Sequence, residues 1–140
     1  MSDIIRRTIA FDCKGTLIFN NHNKKVVVDL FNDLHKNGHV MTIWSSLGSY
    51  PLKAYQEHFL GKENISLEDK SFYWGNEEGP PLKDICVDDE NQTWLSAKHI
   101  IHAGKIPDKE VNPEAYKKLL IEIHTGDVND NPDFLREYKL

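Results

Sequence analysis

The sequence predicts a three-layer α/β fold built on a central parallel sheet, and three observations predict it. Short apolar runs alternate with segments of helical periodicity along most of the 140 residues, the order expected when helices cover a buried parallel sheet. Three apolar runs end on oxygen-bearing side chains: "TIAF" on Asp12, "HVMTIW" on Ser45, and "DICV" on Asp88 and Asp89. Ligands of open parallel sheets bind beyond the carboxyl ends of the strands, so these endings converge on one edge. A chain of this length suits one domain with a real core, here taken as residues 1–140.

The first strand is expected over Thr8–Phe11, closing at Asp12, and "GTLIFNNHNK" reads as a tight Asn-rich turn. Val26, Val27, Leu30, Phe31 and Leu34 recur at helical spacing, and Gly38 stands where a helix end wants a left-handed residue. "HVMTIW" is the second strand, ending at Ser45 and Ser46, and residues 51–59 form a second helix ahead of Gly61. "ENISLEDK" reads as a solvated loop, "SFYW" (residues 71–74) as the third strand and "DICV" (residues 84–87) as the fourth. "NQTWLSAKHIIHAG" reads as a helix stopped by Gly104, with "HIIH" open to a strand reading; a brief fifth strand is expected around Ile106. The last helix starts at "NPEAY": Asn112 caps, Pro113 takes the first position, and Tyr116, Leu119, Leu120 and Ile123 form the apolar stripe. Residues 126–140 are expected as a loosely ordered tail with a short helix around Phe134 and Tyr138.

Composition narrows the function. A net charge of −5 supplies no global field for nucleic acid or anionic membrane. No run is long or apolar enough to span a bilayer, and "MSDIIRRTIAF" lacks a signal-peptide layout. Cys13 and Cys86 make neither a disulfide framework nor a CxxC pair. The expected home is the cytoplasm, with both thiols reduced. His99 and His102 have no third ligand in view and read as packing or surface residues.

Taken together, "IAFDCKGTL", "HVMTIWSS" and "DICVDDE" resemble the first, second and fourth motifs of the haloacid dehalogenase superfamily, in order and spacing, over residues 8–104. Its members are mostly phosphatases that pass through an aspartyl-phosphate. The resemblance implies a Rossmann-like fold with Asp12 as nucleophile. It implies Mg²⁺ held by Asp12, Asp88, Asp89 and the Lys14 backbone carbonyl, and phosphate bound by Ser45, Ser46, Lys53 and N–H groups near Cys13 and Lys14. That chemistry is coherent: a carboxylate can attack phosphorus and divide the transfer into two easier steps, and phosphoryl transfer needs alignment and neutralised charge above all. Cap domains of this superfamily enter after the first motif or before the fourth. The turn after Leu17 and the nine-residue link "GNEEGPPLK" leave no room for one. An open, capless site is expected, suited to a phosphorylated small molecule or an exposed phosphate on a macromolecule.

Two lysine positions depart from the pattern. Lys14 stands where the superfamily places its general acid, and a lysine with a reference pKa near ~10.4 is a poor acid at neutral pH. Either the protein is a slow or atypical Mg²⁺-dependent phosphohydrolase, or it is a catalytically weak phosphate-binding or regulatory module. The charge-neutralising lysine of the third motif has Lys83 and Lys53 as candidates, and Lys14 itself could supply that charge. Lys83 opens the fourth strand, which at ~3.3 Å per residue sets it roughly 15 Å from the active edge.

Overall fold

The computed structural model describes residues 4–18, 24–70, 83–90, 97–129 and 131–139. Its strands are β1 (Thr8–Phe11), β2 (Val40–Ser45), β3 (Ile65–Asp69), β4 (Lys83–Asp88) and β5 (Ala97–His102). They form one sheet of order β3-β2-β1-β4-β5 in which every neighbouring pair is parallel. The helices are α1 (Lys24–Lys36), α2 (Tyr50–His58) and α3 (Pro113–Thr125). The expected α/β class with a central parallel sheet is present, and the topology is consistent with a Rossmann-like fold.

The middle of the sheet follows from its residues. Ile9, Ala10 and Phe11 of β1 have no exposed surface, and neither have Ile85, Cys86 and Val87 of β4. Such continuous apolar runs belong in parallel strands without a solvent face. Phe11 is in register with Ile43 on one side and Val87 on the other. Asp12 and Asp88 therefore leave the sheet at the same level. The chain builds outward from β1 through β2 to β3, then returns to place β4 on its other side. A doubly wound sheet opens its crevice at such a reversal.

The helices bury the stripes expected of them. In α1, Val27, Leu30, Phe31 and Leu34 are fully buried. Phe31 meets Phe11 edge-on at 5.0 Å and stacks on Phe59 at 4.1 Å. Gly38 follows with a φ of +90°. Asn112 caps α3 through its Oδ1, which accepts the Ala115 N–H at 3.2 Å, and Tyr116, Leu119 and Ile123 face the core.

Differences from expectation lie at the sheet edges and the tail. The third strand is Ile65–Asp69, inside the segment read as a solvated loop; residues 71–74 lie outside the described residues. As an edge strand β3 tolerates charge, and its Ser66 and Leu67 are exposed. Of the segment read as a helix, residues 91–96 lie outside the described residues and Ala97–His102 form the strand β5, the alternative left open for "HIIH"; buried Ala97, His99 and Ile101 alternate with more exposed neighbours. No strand surrounds Ile106, which follows a single 3-10 turn, Ala103–Lys105. In the tail, Val128, Phe134, Leu135 and Tyr138 join the main core, the last within a 3-10 turn, Arg136–Tyr138. Among the described residues no helix is long and apolar enough to cross a membrane.

At the amino ends of β1 and β2 sits a buried polar cluster. The Arg7 N–H donates to His39 Nδ1 at 3.0 Å, and His39 Nε2 lies 2.9 Å from His124 Nδ1. The Arg7 guanidinium donates to the carbonyls of Ile123 and Gly126, joining β1 to the end of α3. The amide donor on Nδ1 makes His39 a neutral Nε2–H tautomer. Burial first, then His124 and Arg7, pushes its pKa down to about 4 from 6.5, and burial also lowers that of His124. Because the folded pKa lies below the unfolded one, this stabilisation is complete above pH 6.5 and is lost as pH falls toward 4. That difference corresponds to roughly 3 kcal/mol. Urea denaturation of wild type and His39→Gln should show a stability difference that shrinks by about that amount between pH 7 and pH 4. A constant difference across that range contradicts the assignment.

Candidate functional site

The site begins in the turn after β1. The Cys13 carbonyl accepts three N–H groups, from Thr16, Leu17 and Ile18, at 3.0, 2.9 and 2.8 Å, and the Gly15 N–H donates to the Ile18 carbonyl at 2.7 Å. The Asp12 N–H donates to Val87 O at 3.0 Å, tying the turn to β4. Gly15 has a φ of +79°, and a β-carbon there would lie 2.2 Å from Asp89 Oδ2. Glycine is what lets the Asp89 carboxylate close over this turn.

Asp12, Asp88 and Asp89 each offer a carboxylate oxygen, all within 4.8 Å of one another. Asp88 is almost fully buried and Asp12 partly so. Opposite them Lys70, the residue after β3, sets its Nζ 2.5 Å from Asp88 Oδ2 and 3.6 Å from Asp12 Oδ1. Two of the three clustered carboxylates thus share one buried ammonium. Burial, then repulsion from Asp88, pushes the Asp12 pKa up to about 7 despite Lys70 and a Cys13 N–H. Burial and a hydrogen bond with Asp88 raise that of Asp89. Burial works against the charge of Lys70, but Asp12 and Asp88 outweigh it and raise its pKa. The cluster is short of positive charge, and its all-oxygen donor set suits a hard divalent cation.

These groups line a cleft of about 260 Å³ that Lys14, Ser45 and Ser46 also reach. Ser45 is buried, and its Oγ accepts the Leu47 N–H at 3.0 Å, which shapes the turn after β2. Lys14 is exposed on the cleft wall. Cys13 is buried with its Sγ 3.5 Å from Trp44 O, and burial raises its thiol pKa, which describes a packed thiol. A larger, more open hollow of about 620 Å³ beside β5 is lined by Lys98, His99 and Lys139, without a carboxylate cluster.

Of the residues singled out in the sequence, Asp12, Lys14, Ser45, Ser46, Asp88 and Asp89 come together. Lys83 does not join them: it lies at the far end of β4 from Asp88 and pairs with Glu68 at 3.1 Å. Lys53 is exposed on α2 and does not line the cleft. The ammonium beside the carboxylates is Lys70, which sequence reasoning left in a solvated loop. Reading "ISLED" as a strand would have placed it at the same edge as Asp12 and Ser45. His102 also contributes: its Nε2 is 3.0 Å from the Asp89 carbonyl.

Two substitutions probe this geometry. Gly15→Ala should displace Asp89 and weaken divalent-cation binding at least about tenfold, read by calorimetry or by the cation-induced rise in Tm. Lys70→Met leaves the carboxylates without their partner and should cost about 3 kcal/mol at pH 8. That cost should be smaller at pH 6, where Asp12 can take up a proton. A loss that is independent of pH counts against the ion pair as its cause. No protein-family model matches the chain, and comparison with curated proteins and with solved structures gives no match either.

Proposed function

We propose that the protein is a Mg²⁺-dependent phosphohydrolase of the haloacid dehalogenase type, acting through Asp12 on a phosphoester or acyl phosphate. One observation carries the reading: the carboxylates of Asp12, Asp88 and Asp89 cluster within 4.8 Å of one another at the carboxyl edge of a parallel sheet, with the buried Lys70 ammonium against Asp12 and Asp88. Oxygen donors of this kind suit Mg²⁺, with Asp12, Asp88, Asp89 and the Lys14 carbonyl as its ligands, and the ion would neutralise charge on the transferring phosphoryl group. The Asp12 carboxylate attacks phosphorus, the bond to the leaving oxygen breaks, and water then cleaves the aspartyl-phosphate. Lys70 lowers the cost of gathering negative charge around Asp12, while the Ser45 hydroxyl and the Cys13 and Lys14 N–H groups hold phosphoryl oxygens. In the same reading the fold is three-layered and capless, the protein works in the cytoplasm, and its partner is a phosphorylated small molecule or an exposed macromolecular phosphate.

Lys14 supports a second reading, a phosphate-binding module with little turnover. Its exposed side chain stands on the cleft wall where the reaction calls for a general acid, and that group typically contributes ~10²–10⁴-fold. Turnover of acetyl phosphate and p-nitrophenyl phosphate with Mg²⁺ decides between them. The enzyme reading expects wild-type hydrolysis that Asp12→Asn abolishes. Silence on both substrates, with activity appearing in Lys14→Asp, establishes the binding module. An active wild type matched by Asp12→Asn refutes the nucleophile.

A further inference from the structure

We propose that a hollow beside the carboxylate cleft receives the organic body of the phosphate substrate, and that this body is apolar, of one or two rings. This deepens the phosphohydrolase reading and rests on it. The hollow has a volume of about 280 Å³ and is lined by Gly48, Pro51, Leu52, Leu67, Glu68 and Asp69. Two stretches of chain join it to the cleft. Leu47 lines the cleft and Gly48 the hollow; Lys70 lines the cleft and Asp69 the hollow. Ser45 and Asp69 are register partners, so the two spaces are lined by neighbouring stretches at the carboxyl ends of β2 and β3.

The surface along this path has a definite chemistry. Leu47, Leu52 and Leu67 are 48, 51 and 40 % exposed. Single exposed leucines are ordinary on a protein surface, but three bordering connected concavities form an apolar path leading away from the phosphate site. Asp69 lines the hollow on the same face of β3 as Leu67, while the Glu68 carboxylate accepts from Thr42 and Ser66 and pairs with Lys83. The volume equals that of roughly nine water molecules, the scale of a small ring system. A phosphate anchored at Asp12 can thus lay such a group against Leu47, Leu52 and Leu67, removing apolar surface from water on both sides.

The test uses the full chain with Mg²⁺ and two phosphonates that cannot be hydrolysed, 1-naphthylphosphonate and methylphosphonate, titrated by calorimetry. The naphthyl compound should bind at least about tenfold more tightly. That ratio, taken within each variant, should fall to about one in Leu52→Asp and in Leu67→Asp; circular dichroism checks that both are folded. Equal wild-type affinities, or a preference that survives both substitutions, overturns the hollow while leaving the phosphate site standing. Failure of both compounds to bind wild type removes the phosphate reading and this one with it.

Discussion

One buried ammonium, paired with two of three clustered carboxylates, is the constraint that organises the carboxyl end of this sheet. Burial alone disfavours ionised carboxyl groups, and placing Asp88 beside Asp12 adds repulsion that Lys70 offsets only in part. The arrangement survives because the surrounding backbone leaves little freedom. Asp12 is tied to β4 through Val87, the Cys13 carbonyl gathers three donors, and Gly15 gives up a side chain where Asp89 needs the space. β1 and β4 are adjacent strands whose runs over residues 9–11 and 85–87 are apolar and wholly buried, so the two carboxylates that follow these runs can separate only if the sheet itself comes apart. The same sheet that excludes water from the core thereby holds a cluster in need of cations.

The opposite end of the sheet handles buried polarity differently. Arg7, His39 and His124 form a network in which the main-chain amide of Arg7 selects the tautomer of His39, and carbonyls from α3 and the turn beyond it take the guanidinium. Here the donors and acceptors are matched, and the histidines stay neutral because burial makes their charging costly. Matched polarity at the amino ends and unmatched charge at the carboxyl ends give the sheet distinct structural and chemical ends. Strong shifts from a specific charge partner in a cleft mark a candidate functional site, whereas the histidine network does a structural job.

What the sequence disclosed follows this division. β1, β2 and β4 were legible because central parallel strands must be apolar on both faces, and a run such as "TIAF" ending in Asp12 has few other homes. α1 and α3 were legible from their stripes and from Asn112 and Pro113. The edge strands were harder. Among the described residues β3 and β5 have one neighbour each, so side chains such as Glu68 and Lys98 can reach water, and their patterns resemble those of a loop or a helix. That ambiguity has a functional consequence, because Lys70 becomes visible as a site residue only once β3 is recognised. Lys83 failed for the related reason that its strand carries it to the wrong end. The tail residues Phe134 and Leu135 stand alone between polar neighbours in sequence, and only tertiary packing shows that they complete the core.

The charge of the cleft gives Lys14 a sharper meaning than a missing acid. Four carboxylates, of Asp12, Asp88, Asp89 and Glu90, and two ammoniums, of Lys14 and Lys70, line it among the described residues, a formal excess of two negative charges. A divalent cation would bring that sum to zero, and the phosphate dianion of the proposed reaction would then meet no net repulsion. With an aspartate at position 14 the same cleft would hold an excess of four, and one divalent cation would still leave it negative. Lys70 is committed to Asp12 and Asp88 inside the cluster, whereas Lys14 stands exposed on the wall that an incoming anion meets. On the proposed function, Lys14 would trade proton donation for anion attraction: the cation would bind first, the phosphate second, and the leaving group would depart with less help than an acidic side chain gives.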